Sequence, residues 1–176
     1  MCEEAMKKAV IIINGNGGTG KDTLCGFAAE IYRTVNVSSA EPVKEIARRY
    51  GGWKGEKDEK SRKFLADLKR LFTDYNDLSC KYLVEEYKKF LKGDAEILFV
   101  HIREGKEIDK FRKHIEIPCI TLLIRRSSVR RQWGNESDDN VEKYAYDYRY
   151  DNDKELSEAK PDFQRFLKEM MDKSRK

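Results

Sequence analysis

Short apolar runs alternate along the chain with longer segments whose apolar residues recur every three or four positions. The runs predict strands at Ala9–Asn14, Val35–Ser38, Glu96–Ile102 and Cys119–Ile124, and "DYRYDN" (147–152) predicts a last strand. A run that is apolar throughout, with no alternation of polar residues, is typical of a strand buried on both faces. The pattern therefore predicts a mainly parallel sheet of five strands.

Helical spacing fills most of the chain between those runs. It predicts helices at Lys21–Arg33, Glu41–Tyr50 and Pro161–Lys173, and two more within Arg62–Lys92, broken near 74–77. The stretch "GGWKGEKDEKS" is polar and predicts a loop. Strands that alternate with helices indicate an α/β three-layer sandwich, whose ligands bind at the carboxyl ends of the strands. The length of 176 residues fits a single domain, 1–176.

Composition narrows the class of partner and the compartment. Basic and acidic residues number 36 and 32, so the net charge of +4 is too small to indicate a nucleic-acid partner. The cysteines at 2, 25, 80 and 119 form no CxxC pair, which favours reduced thiols and a cytoplasmic protein. No apolar run approaches the roughly 18 residues of a membrane span, and Met1–Lys8 does not resemble a signal peptide. We expect no membrane association.

The loop after the first predicted strand carries the strongest motif. Gly15, Gly20 and Lys21 satisfy GxxxxGK, in which backbone N–H groups surround phosphate oxygens and the lysine neutralises the terminal phosphate. The glycines allow positive φ and a close approach of the main chain to the anion. The predicted ATP-binding residues of this loop are Gly15, Asn16, Gly17, Gly18, Thr19, Gly20, Lys21, Asp22 and Thr23.

The same letters also match a dinucleotide-binding fingerprint. Gly15, Gly17 and Gly20 spell GxGxxG, and Glu41 could supply the acidic residue that such folds place after the next strand. A mostly helical stretch of about 60 residues separates Val37 from Glu96, however, and Lys21 has no role at a nicotinamide site. An oxidoreductase remains the less favoured alternative.

Four stretches resemble the P-loop kinases of small phosphorylated metabolites, in particular the deoxynucleoside monophosphate kinase group, with phosphomevalonate kinase as a relative. They are "GNGGTGKDT", whose aspartate after the lysine is unusual and shared with that group, "SSAEPVKEIARRYGGW" with "DEKSRKFL", "VHIREGKEIDKF" and "YDYRYDND". The resemblance implies a P-loop NTPase sandwich with a helical acceptor-binding insertion at 39–93 and an arginine-rich lid at 125–146. It also implies ATP and Mg²⁺ as cofactors and a small phosphorylated molecule as the second substrate.

Residue by residue, the resemblance implies that Lys44 and Arg62 face the phosphate of the acceptor and that Arg103 clamps it or the transferred group. A guanidinium can form the bidentate fork that such a clamp needs. For Lys44 and Arg62 the alternative is an ordinary solvated helix face. The segment "RRSSVRRQWGNESDD" places Arg126, Arg130 and Arg131 where a lid would carry arginines onto the phosphates. An exposed basic helix paired with the acidic residues of 136–139 is the alternative there.

Asp22 and His101 depart from the usual pattern. A P-loop normally has a hydroxyl directly after the lysine, whereas this chain has Asp22, and the family that it resembles has an aspartate where this chain has His101. Histidine cannot replace a carboxylate as an oxygen ligand of magnesium. We hypothesise that Asp22 supplies the metal-side carboxylate; the alternative is that it only stabilises the start of the helix.

These residues predict phosphoryl transfer from ATP to a small phosphorylated acceptor, most simply a nucleoside or deoxynucleoside monophosphate. The predicted catalytic residues are Lys21, Asp22, Arg103, Arg126 and Arg130. A nucleotide sensor with impaired catalysis, which His101 would explain, and a P-loop switch acting on a macromolecule remain alternatives.

Overall fold

The computed structural model describes residues 8–129 and 140–174 and contains five strands. They are β1 (Ala9–Asn14), β2 (Thr34–Ser38), β3 (Ile97–His101), β4 (Cys119–Arg125) and β5 (Tyr148–Asp151). The five predicted strands are therefore confirmed, with bounds that shift by one residue at most. The strands end where the chain turns polar.

Six α-helices and one 3₁₀ helix are present in the described part of the chain. The α-helices are α1 (Lys21–Ala29), α2 (Glu41–Tyr50), α3 (Glu59–Asn76), α4 (Leu78–Lys92), α5 (Gly105–Arg112) and α6 (Leu156–Ser174), and the 3₁₀ helix is Val141–Lys143. None of the helices in these ranges is both long and apolar enough to cross a bilayer.

Three predicted helices have different bounds in the structure. α3 begins at Glu59 rather than at Arg62, so it includes the last three residues of the predicted loop. The first ends at Ala29 rather than at Arg33, because the amides of Ile31 and Tyr32 both donate to the carbonyl of Ala28 and close a turn. The last begins at Leu156, five residues before the predicted start, so that Pro161 lies inside it. Burial of Ala159 against the core extends this helix despite the hydrogen bond that Pro161 cannot donate.

The sheet is parallel throughout, in the order β2-β3-β1-β4-β5. β1 lies at the centre, between β3 and β4, so its carboxyl end is flanked by the ends of two other strands. A dinucleotide-binding fold places its second strand beside the first, in the order 3-2-1-4-5-6. The position of β3 beside β1 therefore contradicts the oxidoreductase alternative.

Helices cover both faces of the sheet, as the predicted three-layer sandwich requires. α1 and α6 pack on the face that carries Ile11, Ile13 and Phe99, and α4 and α5 pack on the opposite face around Leu98 and Val100. β1, β3 and β4 are buried on both sides, which explains why their sequences show no alternation, whereas the edge strands β2 and β5 are partly exposed.

α2, α3 and α4 form a helical insertion between β2 and β3. Asp58 caps α3 by accepting a hydrogen bond from the Ser61 amide at 2.7 Å, and Asp77, with φ of 58°, separates α3 from α4. The predicted break at 74–77 is thus confirmed. α3 packs against α2 and α4 but contains no buried residue, so it is the least embedded helix of the insertion.

Candidate active site

The loop between β1 and α1 has the backbone that a phosphate-binding loop requires. Gly15, Gly18 and Gly20 have φ of 150°, 86° and 87°, all in the region that favours glycine. A Cβ atom on Gly15 would collide with the carbonyl oxygen of Ile124, and one on Gly20 would lie 2.5 Å from the side-chain nitrogen of Asn152. Both positions therefore need glycine, because the backbone has a positive φ and because neighbouring atoms leave no room for a Cβ atom.

Lys21 folds back over its own loop. Its ammonium group donates to the carbonyl oxygens of Gly15 at 2.5 Å and Asn16 at 3.1 Å. The pKa of Lys21 is lowered to about 8, first by burial and second by the positive charge of Arg103, while Asp22 opposes the shift. A cation held in this way is poised to exchange neutral carbonyl oxygens for the charged oxygens of a phosphate.

Two asparagines that the sequence did not single out hold the loop in place. Asn14 is buried at the end of β1, where its oxygen accepts from the Gly15 amide at 2.8 Å and its nitrogen donates to the Arg103 carbonyl at 3.1 Å and the Tyr146 hydroxyl at 2.8 Å. Asn152 follows β5 and donates to the Thr19 carbonyl at 2.9 Å. Both asparagines end predicted strands, 9–14 and 147–152, and that position is the signal that could have identified them.

Inside the loop, Asn16 carries an unsatisfied polar atom. Its buried Oδ1 has no hydrogen-bond partner among the residues that the structure describes, although its carbonyl accepts from the Thr19 hydroxyl at 2.9 Å. Rotation of the amide by half a turn would place an N–H donor at that position. Such a donor suits a phosphate oxygen.

Asp22 is exposed at the second position of α1 and lies beside a cavity of ≈ 360 Å³. The residue that caps α1 is Gly20, so Asp22 is not the N-cap, although its charge stabilises the first turn. Cys25 and Gly26 from α1, Asn36 from β2 and His101 from β3 line the same cavity. The carboxylate therefore faces the strand end that carries the histidine.

His101 is the last residue of β3. Its Nε2 atom lies 3.3 Å from the Oδ1 atom of Asn36. Its pKa is lowered, first by burial, and Lys21 and Lys44 lower it further while Asp22 opposes them. The imidazole is accordingly neutral at pH 7. It cannot hold magnesium as a carboxylate would.

The structure brings the three predicted acceptor-binding cations to the same end of the sheet. Lys44 lies on α2, Arg62 on α3 and Arg103 two residues beyond β3. The pKa of Arg103 is lowered, first by burial. The charge of Glu104 opposes this shift, and the charge of Arg62 adds to it. Arg62 is therefore close to Arg103, Arg103 is close to Lys21, and Lys44 is close to His101. The concentration of positive charge favours binding of more than one phosphate.

The predicted lid is only partly described. Arg126 is exposed just after β4, and its charge contributes to lowering the pKa of Asp153, whose carboxylate accepts from the amide and hydroxyl of Ser127. Arg130 and Arg131 lie outside the described residues. Arg125 on β4 forms a bidentate ion pair with Asp151 on the edge strand β5.

An ion cluster beside Arg103 was not predicted. Lys69 on α3 donates to Glu104 and to Glu107, at 2.7 Å each. Burial raises the pKa of Glu107 to about 7, and Glu104 adds to the shift while Lys69 opposes it. Sequence spacing gave no sign of this cluster, because 35 positions separate Lys69 from Glu104.

The described residues contain no group of three or more histidine, cysteine or acidic side chains that could hold a metal ion alone. Magnesium at kinase sites needs only one or two carboxylates, with phosphate oxygens and waters completing its shell. Asp22, which lies beside the cavity at the start of α1, is the predicted carboxylate of this kind.

No family model and no curated protein matches this chain. Solved structures do match. The tunicamycin resistance protein of Deinococcus radiodurans has 10% identity and a TM-score of 0.54, with coverage of 91% of this chain and 95% of that one. A sugar kinase from Janibacter has 13% identity and a TM-score of 0.50, with coverage of 92% and 95%. Shikimate kinase from Bacteroides thetaiotaomicron has the same identity and TM-score, with coverage of 92% and 98%. These similarities show that the chain has the P-loop kinase fold.

Proposed function

We propose that this protein transfers the γ-phosphoryl group of ATP to a small phosphorylated acceptor, most simply a nucleoside or deoxynucleoside monophosphate. One observation carries the proposal: Lys21, Arg62 and Arg103 lie near one another beside the phosphate loop. Burial is the main cause of the lowered pKa of Lys21 and of Arg103, but Arg103 lowers the pKa of Lys21 further and Arg62 lowers that of Arg103 further. Like charges that destabilise one another in the free protein are stabilised when phosphates bind between them. A loop for one polyphosphate would not need the additional cations on the insertion side.

The donor half of the site is the loop 15–23. Its amides surround the triphosphate, Lys21 leaves the carbonyls of Gly15 and Asn16 to bridge the terminal phosphates, and the Asn16 side chain adds a donor. Exchange of neutral acceptors for anionic ones strengthens each hydrogen bond of the ammonium group.

Asp22 is the residue that would hold magnesium, directly or through water. The ion would neutralise charge on the terminal phosphates of ATP. The position of Asp22 opposite His101 supports the hypothesis that it replaces the aspartate expected at that strand end. The first-turn alternative concerns only the dipole of α1 and gives no reason for a carboxylate to face this cavity.

Lys44, Arg62 and Arg103 hold the acceptor. Three cations suit an acceptor that brings its own dianion, and an ionised phosphate oxygen attacks without a general base. His101, neutral at this position, then needs no proton-transfer role. Positioning and charge neutralisation supply the catalysis, with Arg126, Arg130 and Arg131 closing over the transferred group.

The decisive experiment measures ADP formation with ATP and magnesium, with and without a panel of nucleoside and deoxynucleoside monophosphates. Turnover that depends on one of the monophosphates supports the proposal. Saturable ATP binding without turnover for any acceptor supports the nucleotide sensor, which the neutral His101 favours. Failure to bind ATP at all overturns both functions.

A variant tests the metal assignment. Asp22→Ala is expected to reduce the magnesium dependence of ATP binding, measured by titration with ATP at several fixed magnesium concentrations. Glu30→Ala is the matched control, because Glu30 is an exposed acidic residue at the opposite end of α1, outside the loop. Unchanged magnesium dependence in Asp22→Ala would remove the metal role from this carboxylate.

A further inference from the structure

One lysine of α3 makes contacts unlike those of its neighbours. The Nζ atom of Lys69 bonds Glu104 and Glu107 at 2.7 Å each, and its side chain is only 13% exposed. By contrast, the ion pair of Lys63 with Asp67 stays on the surface of α3, with 76% of the lysine side chain exposed. Lys69 therefore connects two segments that are distant in sequence, whereas the ion pair of Lys63 stays within one helix.

The two segments that Lys69 joins both carry acceptor-binding cations. Glu104 directly follows Arg103, and Arg62 precedes Lys69 by seven residues, which is two helical turns, so both lie on one face of α3. Burial is the main cause of the lowered pKa of Arg103, and the charge of Arg62 lowers it further, so the two side chains are near each other. One face of α3 thus presents Arg62 toward Arg103 and Lys69 toward Glu104.

The remaining packing of α3 is confined to the surface of the insertion. The helix has no buried residue and rests on α2 and α4, which belong to the same insertion. The bonds of Lys69 reach instead to the turn after β3, which is anchored in the sheet. The Arg103 carbonyl in that turn also accepts from Asn14, so the turn is fixed to the phosphate loop as well.

The cluster is buried enough for its geometry to matter. Glu107 has 19% of its side chain exposed, and its charge also contributes to the pKa of Cys80 on α4 and of Lys110 on α5. Buried ion pairs contribute little net stability, but loss of one partner leaves uncompensated charge and changes how elements sit against each other. Such a cluster is better suited to fixing the position of one element relative to another than to raising the overall stability of the fold.

We propose that Lys69 is a positioning residue for the acceptor half of the site: through Glu104 and Glu107 it holds α3, and with it Arg62, in register with Arg103. This inference rests on the proposed function, because it assigns Arg62 and Arg103 to one bound dianion. Lys69 itself does not touch the substrate.

The test separates the acceptor half from the ATP half. Sulfate serves as the probe dianion, and calorimetry measures its dissociation constant in protein saturated with magnesium and the β,γ-methylene analogue of ATP. Lys69→Met is expected to weaken sulfate binding about tenfold while the dissociation constant of the ATP analogue changes less than about twofold. Lys63→Met, on the same helix, is the matched control and is expected to change neither constant.

Two more variants complete the test. One keeps the positive charge of Lys69, and the other is used if Lys69→Met does not fold. Lys69→Arg, which retains the charge, is expected to keep sulfate affinity within about threefold of the original protein. If Lys69→Met does not fold, and therefore does not bind the ATP analogue, Glu107→Gln replaces it in the test. We expect Glu107→Gln to weaken sulfate binding by about threefold.

Equal sulfate affinity in Lys69→Met and Lys63→Met overturns the proposal, as does a loss in Lys69→Arg as large as in Lys69→Met. If Lys69→Met does not fold, unchanged sulfate affinity in Glu107→Gln overturns the proposal. Failure of the original protein to bind the ATP analogue refutes the proposed function instead. Binding of the analogue without any binding of sulfate refutes the acceptor half of the site and this inference together.

Discussion

At the scale of single residues, the site depends on positions where only one side chain fits. Gly15 combines φ of 150° with a Cβ direction that points at the Ile124 carbonyl, and its amide donates to Asn14. The residue is therefore needed for the shape of the loop before any ligand is bound.

Gly15→Ala is expected to abolish ATP binding and to lower the free energy of unfolding by about 2–4 kcal/mol, because the loop and the end of β4 must separate. Urea denaturation and ATP titration measure the two effects. Gly26→Ala is the matched control: a Cβ there meets nothing within 4 Å, so the helix α1 should gain about 0.5–1 kcal/mol. ATP affinity that survives in Gly15→Ala would contradict the assigned role of the loop.

The residues recognised from sequence were those with a motif. GxxxxGK identified the loop because its glycines and lysine are close together in the chain. Asn14, Asn152 and Lys69 were not predicted because their partners are distant in sequence. Arg103 is 89 positions from Asn14, Thr19 is 133 from Asn152, and Glu104 is 35 from Lys69. Contacts of that kind are set by the order of strands in the sheet, which no local pattern encodes.

At the scale of secondary structure elements, the short strand β5 is held by side chains as well as by its ladder to β4. The Asp147 carboxylate accepts from the amide and the hydroxyl of Thr121 at 2.8 Å each, and the Asp147 amide donates back to that hydroxyl at 2.9 Å. Thr121 is completely buried. These bonds fix where β5 begins, and hence where Asn152 meets the phosphate loop.

Asp147→Ala is expected to destabilise the fold by about 1–3 kcal/mol, because it leaves the buried N–H and O–H groups of Thr121 without their acceptor. Urea denaturation followed by circular dichroism measures the change. Asp151→Ala, at the other end of β5, removes an ion pair whose side chains are 42% and 57% exposed, and is expected to cost less than about 1 kcal/mol. Equal costs for the two variants would show that the Thr121 contacts do not fix the strand.

Element boundaries were predictable where composition changes abruptly and less so elsewhere. β1 and α2 have the predicted bounds, since a glycine loop and Pro42 mark them. α6 starts five residues earlier than predicted because Ala159 packs against the core and extends the helix past Pro161. Tertiary burial outweighed the local preference of proline for a first turn.

At the scale of the whole molecule, two buried groups give the free protein an unusual dependence on pH. The raised pKa of Glu107 means that the folded state binds a proton more tightly than the unfolded state, so stability falls as pH rises from 4.5 to about 7. The lowered pKa of Lys21 means that the unfolded state retains its proton more tightly, so stability rises as pH increases from about 8 to 10.5.

The free protein is therefore expected to show a stability minimum contributed by these groups between about pH 7 and pH 8, measured by urea denaturation across pH. Glu107→Gln should remove the fall on the acid side, and Lys21→Met should remove the rise on the alkaline side, which is at most about 3 kcal/mol. A profile that is the same in all three proteins would contradict both pKa shifts. The variants serve as controls for each other, because each removes one limb and leaves the other.

The bonds between Lys21 and its own loop have a consequence for the speed of nucleotide capture. The ammonium group already stabilises the turn that a ligand would otherwise have to organise, so association does not wait for the backbone to rearrange. A single flexible side chain must swing aside, and such rotations are complete within nanoseconds. Under the proposed function, we therefore expect encounter in solution, rather than rearrangement of this loop, to set the rate at which ATP binds.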